Sequence, residues 1–194
     1  MARQSKHIRF QVAHKAAQMM AEEGISDYAF AKRKAAKFFG LMDGDALPSN
    51  SEIKDAIKEH QAIFFDTEQK DQLKRLRLEA LLIMKNLSAF DPSITGSVLD
   101  GTAGRYPKIE LLFCIDSMKE IEYYLLNEKI SYEIKDKKII NHKNKYREIV
   151  PILFFESNNI FVEFGFLPKS YIETNMSHVS AKKLELLINK MDSK

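Results

Sequence analysis

The hydrophobic period of this chain changes at Pro92, and that change constrains the fold more than any other feature. Before it, apolar residues recur every three to four positions, as on one face of a helix. After it, β-branched and aromatic residues crowd into short runs of the kind strands use. Proline has no backbone N–H and its ring clashes with the preceding turn, so the helical pattern cannot run through it. Helices followed by a mixture of strands and helices give a mixed α+β chain: a helical N-terminal region over residues 1–67 and an α/β domain over residues 68–194. With 194 residues, 45% of them hydrophobic, the chain can bury one substantial core or two small ones.

Four helices are expected in the first half. Ile8, Val12, Ala16, Met19 and Met20 form a first stripe that stops at Gly24. Asp27 is the candidate cap of a second helix that Gly40 ends, and Ser49 and Glu52 stand at capping-box spacing for a third, with Ile53, Ile57 and Phe64 on one face. Leu73, Leu76, Ala80, Ile83, Met84 and Leu87 mark the longest helix, from about Glu68 to Leu87. Beyond Pro92, "IELLFCI" reads as a buried strand, "SMKEIEYYLLNEK" as a helix capped by Ser117, and "SYEI" as a strand running toward "KDKK". "REIVPILFFES" and "NNIFVEFGFLP" read as an antiparallel pair turning near Asn158 and Asn159, and a helix over about Ser180 to Lys190 closes the chain. The stretch "KDKKIINHKNK" reads as a solvated loop or hairpin end.

Thirty Lys and Arg against 27 Asp and Glu give a net charge of +3, too small to name a polyanionic partner. The excess is local: residues 1–41 hold eight basic and three acidic side chains, residues 91–194 fifteen of each. Cys114 is the single cysteine, which excludes an intramolecular disulfide and a Cys-pair metal site; mid-strand, it reads as a small apolar filler. The five histidines show no metal-ligand spacing. No run approaches the roughly 20 apolar residues of a membrane span, and the expectation is a soluble, cytoplasmic protein with no membrane partner.

The stretch that suggests chemistry is "GSVLDGTAGRYPKIEL", residues 96–111, where glycines run straight into an apolar strand. Glycine lets backbone amides approach an anion closely, and Ser97 and Thr102 add hydroxyl donors, so phosphate is the natural ligand of such a loop. On composition alone a glycine-containing loop before a strand is more often an ordinary connection.

The same sixteen residues resemble the signature of the polymerase-beta-type nucleotidyltransferase superfamily, particularly its minimal bacterial members, which reads G-S-x-x-x-G-x-A-x-x-x-S-D-I-D-L. Gly96, Ser97, Gly101, Ala103, Ile109 and Leu111 fall in register without a gap. The resemblance implies a small mixed sheet flanked by helices, a nucleoside triphosphate held by Gly96, Ser97, Gly101, Thr102 and Arg105, and transfer of a nucleoside monophosphate to a hydroxyl acceptor that the sequence does not name. It also implies Mg2+ held by strand carboxylates, with Glu110 on the motif strand and Glu163 the first candidate from a neighbouring strand, Glu156 the second. A strand glutamate such as Glu163 is more often the solvent-facing member of an alternating pattern than a ligand.

The motif departs from the family at its working end. Lys108 stands at the first Asp position, Glu110 at the second and Pro107 at the preceding Ser. A lysine has no lone pair for a hard cation at neutral pH, and its charge repels one. Two apart on a strand, Lys108 and Glu110 share a face and can pair, filling the metal site from within. Three readings follow. The chain is an active transferase with an altered metal site, in which Glu110 and Glu163 hold magnesium and Lys108 contacts phosphate. Or it is a catalytically inactive homologue acting as a nucleotide-, RNA- or protein-binding regulatory module. Or the loop is inherited scaffold, and the basic helical N-terminal region meets an RNA or protein partner. For that last role Lys32, Arg33, Lys34 and Lys37 lie beside Phe30, Phe38 and Phe39. Helical periodicity places those aromatics largely on the buried stripe, with the basic residues solvated.

Overall fold

A computed structural model describes residues 2–25, 27–41, 47–64, 66–104, 106–115, 117–140, 147–175 and 177–192. The chain forms two compact units: Met1–Asp71 together with Gly101–Tyr106, and Gln72–Asp100 together with Pro107–Lys194.

The first unit is helical. Helices α1 (Ala2–Glu22), α2 (Tyr28–Phe38) and α3 (Asn50–Phe64) are set by local signals. The Asp27 carboxylate accepts from the N–H groups of Ala29 and Phe30, capping α2. At α3 the capping box closes in both directions: the Ser49 N–H donates to Glu52 at 2.6 Å and the Glu52 N–H donates to the Ser49 hydroxyl at 3.2 Å. The core between these helices is rich in alanine. Val12, Ala16 and Ala17 of α1, Ala31 and Ala35 of α2, and Ile53 and Ile57 of α3 are all buried, the small side chains letting helix axes approach closely. Within the same unit, the Gln61 amide donates to the Ala103 carbonyl at 3.0 Å.

The second unit is built on a six-stranded mixed sheet ordered β3-β4-β5-β2-β1-β6. Its strands are β1 (Ser93–Thr95), β2 (Lys108–Phe113), β3 (Tyr132–Ile140), β4 (Arg147–Ser157), β5 (Ile160–Phe166) and β6 (Val179–Ser180). The β2 and β5 pair is parallel and the other neighbours are antiparallel. Helix α4 (Asp66–Asn86) runs from the first unit into the second, followed by a single 3-10 turn, and α5 (Gly96–Asp100), α6 (Lys119–Asn127), α7 (Lys169–Asn175) and α8 (Ala181–Asp192) are interleaved with the strands. Alternation along β2 separates the two sheet faces. Ile109, Leu111 and Phe113 are completely buried on one side, where Phe113 and Phe164 meet with ring centroids 4.8 Å apart. Lys108, Glu110 and Leu112 point to the other.

The mixed α+β class expected from the sequence is what forms. The turn at Asn158 and Asn159 is also as read: both have positive φ, 50° and 61°, the pair of left-handed residues that a type I′ hairpin turn requires. Three readings change. The "KDKK" stretch is not a loop but the middle of β3, whose residues each have an antiparallel ladder partner on β4, from Tyr132 opposite Phe155 to Ile140 opposite Arg147, so of the two readings of this stretch the hairpin is the one that agrees with the pairing. Residues 141–145, the rest of "KDKKIINHKNK", lie outside the described residues. Cys114 follows the end of β2 and is exposed rather than mid-strand filler. The aromatics of the second helix are not buried: Ala31, Ala35 and Ala36 take the inner stripe, leaving Phe30, Phe38 and Phe39 exposed.

Candidate functional site

The strand pairing that builds the sheet also brings four charged side chains together. The parallel register sets Glu110 of β2 directly beside Glu163 of β5, with Lys108 one pleat away on the same face of β2. Two strands across, Lys137 of β3 reaches over the sheet to the same place. Lys108 Nζ lies 2.5 Å from Glu163 Oε2 and 3.2 Å from Glu110 Oε1. Lys137 Nζ pairs with Glu163 Oε1 and lies 3.6 Å from Glu110 Oε1.

Glu163 is only 6% exposed, so the solvent-facing reading of this residue gives way to a buried one. Burial pushes its carboxyl up, but Lys137 and Lys108 outweigh that and hold it below the usual carboxylate range. Burial likewise pulls the Lys108 ammonium down, and Glu110 and Glu163 outweigh it, holding the ammonium above its ordinary value. Two ammonium groups and two carboxylates make the cluster neutral, and each buried charge has its counter-ion.

A cavity of about 170 Å³ opens beside the cluster, lined by the charged side chains Glu110, Lys137 and Glu163 and by the apolar Leu112, Ile152 and Leu167. Glu156 takes no part: it is exposed on β4, opposite Phe161.

No family model matches this chain, and no curated protein matches it.

The glycine of the motif has a structural reason of its own. Gly96 opens α5 with φ of 75°, and a Cβ there would lie 2.0 Å from Glu110 Oε2. Only a residue without a side chain admits the Glu110 carboxylate so close to the backbone. Gly96 and Ser97 are half-buried in the sheet-bearing unit, whereas Gly101 and Thr102 belong to the helical unit, where Thr102 is 7% exposed. Arg105 lies outside the described residues. The sixteen-residue motif is thus divided between the two units.

The donor set does not fit a magnesium ion. Magnesium demands oxygen ligands in near-octahedral array. Of the four carboxylate oxygens of Glu110 and Glu163, three face a lysine ammonium and the fourth, Glu110 Oε2, lies against Gly96. Among the described residues there is no group of three His, Cys, Asp or Glu side chains able to hold a metal. In this arrangement Glu110 and Glu163 serve as acceptors for Lys108 and Lys137.

Sequence reasoning missed two residues. Lys137 is separated from Glu163 by two strand crossings, and only its place on the same pleat face as Ile139 and Val150 could have pointed inward. Arg77, buried on α4, donates from Nε to the Val98 carbonyl at 3.1 Å and from Nη2 to the Leu99 carbonyl at 2.9 Å, pinning the helix that Gly96 begins. Burial lowers its pKa from the ordinary guanidinium value. Its signal in sequence was an Arg falling on the apolar stripe, four residues after Leu73 and three before Ala80.

Proposed function

We propose that this chain is a nucleotidyltransferase-like protein of the polymerase-beta type whose catalytic centre is closed, acting as a nucleotide-binding module rather than as a transferase. The observation that carries this reading is the Lys108 ammonium lodged between Glu110 and Glu163, where a cation-binding centre would need open carboxylate oxygens. The motif in register from Gly96 to Leu111, and the order of long helix, glycine turn, apolar strand, helix and further strands around it, support the family part of the proposal. The half-buried Gly96 and Ser97 are the groups left to meet a phosphate.

The test is calorimetric titration of the full-length protein with each nucleoside triphosphate, first with magnesium and then with a chelator, alongside an assay for pyrophosphate release. Metal-independent binding without pyrophosphate release is the expected result. Binding that requires magnesium, or any transfer by the unaltered protein, would overturn the closed-centre reading; no binding in either condition would overturn the nucleotide role. Lys108→Asp removes one ammonium and adds a carboxylate, and is expected to make binding magnesium-dependent.

A further inference from the structure

The outward face of α2 has an unusual composition. Phe30, Arg33, Lys34, Lys37 and Phe38 stand at i, i+3, i+4, i+7 and i+8, which places them on one stripe of the helix. All five are exposed, Phe30 at 49% and Phe38 at 65%. Phe39 continues the patch, meeting Phe38 edge-on with centroids 5.2 Å apart, and Lys15 of α1 sits 4.8 Å from the centre of the Phe38 ring.

The stripe is positive as well as aromatic. No acidic residue occurs in α2. Of the nearby carboxylates, Glu23 pairs with Lys34 at 2.5 Å and Asp27 is engaged by the backbone at the helix start. Arg33 and Lys37 have no carboxylate partner among the described residues. Apolar rings held in water cost free energy, and the core does not use these two.

We infer that this face of α2 binds single-stranded nucleic acid, with unpaired bases stacking on Phe30 and Phe38 and phosphates meeting Arg33 and Lys37. Charge complementarity selects a polyanion. The rings select one with accessible π faces, which a duplex hides inside its own stack. Eight residues of helix separate the two rings by about 12 Å, room for two distinct bases. A lipid surface fits less well, because an interfacial helix carries its basic and aromatic residues on opposite faces, whereas here they share one. The inference stands on α2 alone and is independent of nucleotide binding at Gly96.

Fluorescence anisotropy of the full-length protein with a labelled oligouridylate of about twelve nucleotides, a matched duplex and phosphatidylserine vesicles tests it. The single strand is expected to bind more tightly than the duplex, with log Kd rising against log salt at a slope of about 1.4 for two phosphate contacts. Phe30→Ala and Phe38→Ala are each expected to weaken binding about tenfold, Phe30→Tyr and Phe38→Tyr to retain it, and Arg33→Ala with Lys37→Ala to flatten the salt dependence. The tyrosine variants separate loss of a stacking ring from loss of fold. Absence of binding, equal binding of duplex with no response to the alanine changes, or binding of vesicles in place of the oligonucleotide would each overturn the inference.

Discussion

Two regions of this protein gather lysines, and they treat them oppositely. On the sheet, Lys108 and Lys137 converge on Glu110 and Glu163, so four charges cancel within one partly buried cluster. On α2, Arg33 and Lys37 stand in solvent beside exposed phenylalanines, with no carboxylate partner among the described residues. Basic residues in a sequence therefore do not indicate a polyanion site until their counter-ions are known. The cluster bearing the recognisable motif has its charge satisfied internally, and the unremarkable helix has charge to offer.

The comparison breaks most readily at Glu163. Glu163→Gln leaves two ammonium groups sharing Glu110 as their one carboxylate in a partly buried space and is expected to lower the unfolding free energy by about 3 kcal/mol, read from urea denaturation. The pH dependence follows from the same contacts. The Glu163 carboxyl is depressed in the folded state, so its contribution is present above the unfolded carboxyl pKa of about 4.3 and lost as pH falls through the lower folded value. Lys108 is raised, so its contribution is present below about 10.4 and lost as pH climbs through the higher folded value. The variant should show a shallower fall in urea midpoint at both ends; an unchanged acid limb would mean that Glu163 is not paired in solution.

Gly96→Ala ranks second. It places a Cβ against Glu110 Oε2 and an L side chain at φ of 75°, for an expected loss of about 2 kcal/mol. A double-mutant cycle with Glu110→Ala should return a coupling of about 1 kcal/mol from the relieved clash, the backbone strain persisting. A cycle with no coupling would separate Gly96 from the carboxylate and favour a purely conformational need for glycine. The smallest effect on folding belongs to α2: Arg33→Ala, Lys34→Ala and Lys37→Ala together should shift stability by less than about 0.5 kcal/mol, checked by thermal unfolding. A larger loss would mean that this face is packed.

What could be read from the sequence was what is encoded within a few residues. Asp27, the reciprocal Ser49 and Glu52 bonds, and the Asn158 and Asn159 turn each need only near neighbours, and each forms as read. The pairing of Lys108 with Glu110 was legible for the same reason, being two residues apart on one strand. Lys137 was hidden because its partner is contributed by a strand two places away in the sheet. Strands β1 and β6, three and two residues long, carry too few side chains to show a period; they exist because β2 offers an edge to β1 and β1 to β6. In α2 two apolar classes competed for one inner stripe, and close helix packing favoured alanine over phenylalanine.

The parallel pairing of β2 with β5 also has a consequence in time. Lys108 and Glu163 are 55 residues apart in the chain, and α6, β3 and β4 must all be made before β5 can arrive. During synthesis, β2 emerges from the ribosome with Ile109, Leu111 and Phe113 on one side, Lys108 and Glu110 on the other, and β1 as the only neighbour already made. Closing so distant a pair pays its loop entropy before any contact rewards it. Until β5 arrives, a newly made chain presents one side of β2 as an unpaired edge, the form in which it is most open to association with other chains.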